Sequence, residues 1–299
     1  MIKILDLHFQ GLPETIASFL IETTEGPVLI ETGPHSTITA LEQGLQSNGY
    51  SLEEVRHVFL THIHLDHGGA AWVLARHGAK IYVHPAGKQH LQNPEKLLAS
   101  AKRIYQDKMT QLWGDLQPIP EGQLVTVEHD KKIKIGKTKF KALHTPGHAV
   151  HHIAWQLDNM LFTGDAAGIR ITNNNVVMAP CPPPDINIED WRQSIRLIKS
   201  KRFEALYLTH FGKVEEVKYH LVELEGRLKS WANWIKPYWE NGMPAEEITP
   251  VFQDYITRQL RAGGVSDADL EKYESANPSW MSVAGLLRYW QKKQERDKG

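Results

Sequence analysis

The sequence has a single cysteine in 299 residues. One thiol excludes an internal disulfide and the stapled scaffold of a small secreted domain, and it cannot supply a cysteine-rich metal site. No apolar run approaches the roughly 20 residues that a membrane-spanning helix needs. The opening "MIKILDLHFQGLPETIASFLIETTEG" has neither a long apolar stretch nor a small-residue cleavage site after it, so no signal peptide and a cytoplasmic setting are expected. Charge of one sign is missing too. The net charge is −1 with no block of five like charges, which leaves no footprint for nucleic acid. The G-x-S-x-G elbow of serine hydrolases is also absent. What remains is globular, with 41% apolar and 23% charged residues and enough length for one large domain or one domain with an appendage.

The abundant residue is histidine, present 16 times. Its placement follows a change in character along the chain. Up to residue 212, short β-type runs alternate with helical patterns. "IASFLIET", "GPVLIETG", "RHVFLTH", "KIYVH", "TKFKALHT", "HIAWQLD", "MLFTGD" and "ALYLTH" read as strands, and segments 37–47, 67–77 and 188–200 as helices. Strands outnumber helices and several adjoin turn dipeptides, which predicts sheets covered by helices rather than one doubly wound sheet. Residues 213–299 lack a clear strand and carry Trp231, Trp234, Trp239, Trp280 and Trp290. "VKYHLVELEGRLKSWANWIKPYW" keeps helical periodicity as far as Pro237, so a helical appendage is expected there. Tryptophans at such spacing most simply build a core or a subunit interface, and a homodimer is one expectation.

Residues 60–69, "LTHIHLDHGG", follow the apolar strand-like run that ends at Phe59. In an extended segment positions 62, 64 and 66 point to one side, so His62, His64 and Asp66 would converge while His67 opens a helix. Imidazoles and a carboxylate in that order suit a borderline cation such as zinc, iron or manganese. Three more strand ends offer donors. "HTPGHAVHH" holds His144, His148, His151 and His152, "LFTGDAAG" puts Asp165 among small residues, and "YLTHFG" supplies His210. Five histidines and two aspartates exceed one tetrahedral ion and fit two.

H-x-H-x-D-H, then "TPGH", "TGD" and "TH" in this order resemble the metallo-β-lactamase-fold hydrolase superfamily, over roughly residues 15 to 212. The resemblance implies an α/β (α+β) fold, a four-layer αββα sandwich with the helical extension behind it, and divides the chain into residues 1–212 and 213–299. It implies two divalent ions, zinc first and iron or manganese as alternatives. His62, His64 and His148 resemble the ligands of the first ion, and Asp66, His67 and His210 those of the second. Asp165 resembles the bridging carboxylate. Two such ions share a hydroxide of lowered pKa and polarise the scissile bond, with Asp66 orienting ligands and relaying a proton and Asp165 fixing their separation. His144, His151 and His152 become neighbours of the site, His152 the one nearest substrate. Arg170 and Lys213 are the charged residues close in sequence to Asp165 and His210 and are candidates for an anionic substrate group.

Departures narrow the branch. Cys181 in "APCPPPD" does not match the cysteine of the best-known zinc β-lactamases, and Gly168 stands where acyl-homoserine lactonases of the superfamily carry tyrosine. "GDAAG" and the helical extension resemble the thioesterase-like group, in which C-terminal helices cap the metals. A small-molecule ester or thioester hydrolase is therefore expected. Phosphodiester, phosphotriester or lactone hydrolysis at the same site, a mono-iron persulfide dioxygenase, and a metal-bearing sensor are the alternatives.

Overall fold

In the computed structural model, which describes residues 1–171 and 174–298, the alternating apolar runs become two mixed sheets. The first contains β1 (Ile2–Asp6), β2 (Ala17–Thr23), β3 (Gly26–Ile30), β4 (His57–Phe59), β5 (Lys80–Val83) and β6 (Leu124–Thr126), in that spatial order. The second contains β7 (Lys132–Ile135), β8 (Thr138–His144), β9 (Ile153–Leu157), β10 (Met160–Phe162), β11 (Ala205–Leu208) and β12 (Gly212–Val214). From β3 to β6 the first sheet is parallel, and in the second only β10 and β11 are.

Period-two alternation sorts the side chains. Phe19, Ile30, Phe59, Phe140, Trp155 and Phe162 meet between the sheets, where Phe59 lies 4.4 Å from the Phe140 ring and 4.8 Å from Trp155. Leu20, Leu29 and Val58 point the other way, into a core shared with α1 (Ile38–Gln46) and α3 (Ala71–Arg76), which follows the short α2 (Leu65–Gly68). The helix expected over 67–77 is split there. A Cβ on Gly69 would stand 2.3 Å from the Leu65 carbonyl oxygen and 3.0 Å from the Pro34 backbone, so the chain passes too closely for one regular helix with side chains.

Leu143, Ala154, Leu161, Leu206 and Leu208 face the opposite outer layer. Its first helix, after α4 (Pro85–Gln92), α5 (Glu95–Tyr105) and α6 (Met109–Trp113) of an insertion between β5 and β6, is α7 (Ile188–Lys201). Asn187 caps α7 by accepting from the Asp190 amide at 3.1 Å, acidic residues open it and lysines close it. The appendage is α8 (Val217–Glu240), α9 (Ala245–Ala262), α10 (Asp267–Ala276) and α11 (Ser279–Lys298). α8 does not stop at Pro237. It carries that residue within its last turn, where one missing amide is tolerable, and ends at Glu240. Leu221, Leu224, Leu228 and Trp231 of α8 share a core with Trp191 and Ile195 of α7, so the extension is packed onto the second sheet's covering layer. Among the described residues no helix is long and apolar enough to cross a membrane.

Candidate metal centre and its cavity

The donors stand where strands end. β4 leads into Thr61 to His64, β10 into the turn Gly164–Ala167 that carries Asp165, and β11 into Thr209 and His210. The loop after β8 delivers His148. Backbone hydrogen bonds tie these ends together: the Ile153 amide donates to Thr61 O at 2.7 Å, the Thr163 amide to Tyr207 O at 2.9 Å, and the Ala17 amide to Thr209 O at 2.8 Å.

Within this frame His62 Nε2 lies 2.9 Å and His148 Nε2 3.0 Å from His64 Nδ1. One ring proton cannot satisfy three converging nitrogens. A shared cation can, since tetrahedral bonds of 2.0–2.1 Å hold nitrogens about 3.3 Å apart. A second group is Asp66, His67 and His210, with Asp66 Oδ2 3.6 Å from His67 Nε2 and 3.4 Å from His210 Nε2. Asp66 therefore sides with His67 and His210, not with His62 and His64 as an extended segment would place it. The chain has already turned into α2 at Leu65. Between the groups sits Asp165, with Oδ2 3.3 Å from His148 Nε2 and Oδ1 3.4 Å from His67 Nε2 and 3.6 Å from His210 Nε2. Among the described residues His67 Nε2, His210 Nε2 and Asp165 Oδ1 are buried without a hydrogen-bond partner. Orphaned polar atoms converging in this way are costly, and a cation is the partner that fits imidazole and carboxylate donors.

The outward ring nitrogens are fixed. His148 Nδ1 donates to Pro180 O at 2.9 Å and His210 Nδ1 to Thr15 O at 2.7 Å, which leaves Nε2 of both rings facing inward. His67 Nδ1 lies 3.3 Å from Glu31 Oε1. Glu31 also accepts a short hydrogen bond from the Thr61 hydroxyl and is fully buried, on a backbone of φ +64°. The sequence reading missed Glu31. Its signal was a carboxylate directly after the apolar β3 run, a place where a charge needs a partner.

Electrostatics separate the two groups. Burial, then neighbouring imidazoles, holds His62 well below the usual range, takes His64 down to about 3, and lowers His148. Burial also opposes charge on His67, but the carboxylates of Asp66, Asp165 and Glu31 outweigh it and raise its pKa well above the ordinary value. His210 is raised in the same way, by Asp165 and Asp66 against burial. Asp66 is taken down to about 2, its burial overcome by His67 and His210, and Asp165 is held well below the carboxylate range. The first group is thus a set of neutral lone pairs, and the second is an anionic pocket in which protons occupy the place of a cation.

A cavity of about 950 Å³ opens onto His64, Asp66, Asp165 and His210. Distant regions contribute to its wall, among them the N-terminal turn at Phe9, the insertion helices with Tyr105 and Trp113, the segment with Pro180 and Pro182, and the extension with Trp280 and Met281. The insertion was not foreseen as helical. His152, Arg170 and Lys213, the expected substrate contacts, are not in this wall. His152 is fully buried behind His62, its Nδ1 2.8 Å from Thr145 Oγ1, and the adjacent His151 takes the place in the wall. Arg170 is held by Glu216 at 3.1 Å, by Asn175 and by the Asn174 carbonyl, and Lys213 pairs with Glu215 at 2.6 Å. Cys181 is buried, and burial pushes its thiol pKa up. At Gly168, φ is +74° and a Cβ would lie 2.5 Å from Met178 O, so the tyrosine of the lactonase pattern has no room.

Comparison with known proteins agrees with this geometry. The model of the Metallo-beta-lactamase superfamily matches residues 11–210. The chain is 30% identical over 167 residues to a metallo-beta-lactamase fold-containing protein of Sulfurisphaera tokodaii, covering 54% of this chain and 63% of that one. It is 30% identical over 182 residues to an atrochrysone carboxyl ACP thioesterase of Aspergillus aculeatus, covering 54% and 47%. In both matches the chain spans less than two thirds of the relative's length. A metallo-beta-lactamase family protein of Thermus thermophilus superposes with a TM-score of 0.65 at 19% identity over 99% of this chain and 94% of that one. That coverage takes in the C-terminal helices, so the extension is part of the shared fold.

Proposed function

The chain belongs to the metallo-β-lactamase superfamily, and on that premise we propose that it hydrolyses ester or thioester bonds of a small-molecule substrate with two divalent ions, zinc first and iron or manganese as alternatives. The observation that carries this reading is the two-sided placement of Asp165, one oxygen toward His148 and the other toward His67 and His210. In this reading His62, His64 and His148 would hold one ion, Asp66, His67 and His210 the other, and Asp165 would serve both. Bound there, the ions would supply a water of lowered pKa and a Lewis acid for the scissile carbonyl.

The protein's own part is orientation. Pro180 O, Thr15 O and Glu31 hold Nδ1 of His148, His210 and His67, so that Nε2 of each ring faces the centre and would offer its lone pair once a cation displaced the protons of His67 and His210. Asp66, ionised and facing the cavity, can take up and pass on the proton released when water attacks. The apolar wall excludes bulk water and accommodates the acyl group, with the C-terminal helices serving as a cap. A thioester suits the site because a thiolate departs without strong acid assistance, and the thioesterase among the relatives supports the same bond class.

The test is a panel of acyl-CoA thioesters, aryl esters, lactones and phosphodiesters, assayed with protein reconstituted with zinc, iron or manganese. Turnover confined to phosphodiesters would replace the reading. Oxygen consumption with a persulfide would replace it by an oxidoreductase.

A further inference from the structure

Tyr105 closes α5 inside the insertion and stands in the same cavity wall as Asp66, Asp165 and His210. It packs in the small apolar cluster around Leu65, the residue between His64 and Asp66, which anchors the ring beside the donor-bearing loop. Trp113 and Trp280 fix it from two sides, with ring centroids 5.0 Å and 5.9 Å away, both edge-on. The aromatic body is therefore held by three parts of the chain that are far apart in sequence.

Its hydroxyl is not held in the same way. The one polar partner among the described residues is the Met281 sulfur at 3.3 Å. A thioether is a weak acceptor, and a largely buried phenol normally finds a better one. Burial, and then the charge of Asp66, push its pKa up, so the group keeps its proton and acts as a donor. A donor lacking a strong acceptor, held by aromatic packing in the wall of the cavity that the metal donors also line, is pre-organised for an oxygen brought by a ligand.

We propose that Tyr105 is a catalytic residue that donates a hydrogen bond to the substrate's carbonyl oxygen as that oxygen gains charge. The inference rests on the ester or thioester reading above. When water's oxygen bonds to the carbonyl carbon, the C=O π pair moves onto oxygen and the Tyr105 O–H exchanges its sulfur partner for that oxygen. The phenol proton stays on Tyr105. The proton that water gives up goes to Asp66. When the pair returns, the bond to the leaving sulfur or oxygen breaks with its electrons, that thiolate or alkoxide takes the proton from Asp66, and the Tyr105 hydrogen bond weakens.

The experiment compares wild-type protein and Tyr105→Phe, each loaded with two ions, with metal content and melting temperature measured to verify the fold. Affinity for an alkylphosphonate, whose tetrahedral charged oxygens imitate the attacked carbonyl, is read by calorimetry alongside kcat and KM on the ester and thioester panel. Loss of one such donor is expected to lower kcat by about 100- to 1000-fold, to weaken phosphonate binding about tenfold or more, and to leave KM nearly unchanged. Equal kcat and equal phosphonate affinity in the two proteins would overturn the role while leaving the bond-class reading intact. A raised KM with kcat unchanged would also overturn it, since that is the signature of wall packing. Tyr105-dependent phosphonate binding in a protein that cleaves no ester or thioester would keep the donor and discard the bond class.

Discussion

His148 and Asp165 meet at 3.3 Å between Nε2 and Oδ2, which leaves the other carboxylate oxygen to His67 and His210. Asp66 faces only His67 and His210, and Glu31, though close to His62 and His67, lies against His67 Nδ1 rather than against the converging Nε2 atoms. Asp165→Asn keeps the volume and removes the charge. The variant is expected to lose at least one of two ions by elemental analysis, and its turnover should fall by more than the roughly 10- to 100-fold typical of outer hydrogen-bond partners. Two retained ions with unchanged turnover would exclude the bridge.

Glu31 acts one bond further out. Its carboxylate accepts from Thr61 and orients His67 through Nδ1. In Glu31→Gln one of the two positions near the Thr61 amide becomes a donor facing a donor, and the ring loses its anionic partner. Metal affinity is expected to weaken by about 10- to 100-fold while the cavity wall stays as it is. Competition with a chromophoric chelator measures this, and unchanged affinity would reduce Glu31 to a packing role.

The raised pKa values of His67 and His210 give metal uptake a pH dependence of known sign. In the metal-free protein their protonated forms pair with Asp66 and Asp165. That pairing stabilises the fold fully below the unfolded imidazole value near 6.5 and is lost as pH rises through the raised folded values. A cation must displace those protons. Affinity should therefore climb with pH through that window, and calorimetry in buffers of different ionisation enthalpy should detect proton release at pH 7 that shrinks as the pH rises through the raised folded values. Absence of proton release at pH 7 would mean that both rings are already neutral.

The strands legible in the sequence are the interior ones. All eight runs read as strands correspond to β2–β5 and β8–β11, whose residues pack on both faces and so write continuous apolar signals. The four missed are β1, β6, β7 and β12, which are the sheet edges. An edge strand is short or charged because pairing on one side suffices and an apolar edge invites aggregation, as "KIKI" of β7 and "GKV" of β12 illustrate. At the centre, the aligned His and Asp motifs could be read because donors are costly anywhere else. Glu31, Tyr105 and the wall could not, since one carboxylate or one tyrosine carries no pattern and their roles arise only from distant contacts. Proximity in sequence to Asp165 and His210 does not bring Arg170 and Lys213 into the cavity wall: Arg170 is held by Asn174, Asn175 and Glu216, and Lys213 by Glu215.

The extension should prove inseparable from the metal-bearing turn. Leu224 of α8 is fully buried, and its Cδ1 lies 2.7 Å from where a Cβ on Gly168 would be, three residues after Asp165. His220, a turn earlier, is 2.7 Å from Ala167 O through Nε2, and Trp191 of α7 donates to Ala166 O at 2.8 Å. The helices therefore brace the short turn from which Asp165 projects. Leu224→Ala leaves a void beside it and is expected to cost about 2–5 kcal/mol of stability, read as a lowered denaturation midpoint. Metal affinity should weaken along with it, because the turn loses its support. Truncation after residue 212 goes further, since it strips Leu221, Leu228, Trp231 and the rest of α8–α11 from a core shared with α7. The apolar face left behind should make the shortened chain insoluble. A soluble 1–212 fragment that binds two ions as tightly as the full chain would show instead that the centre stands without its extension.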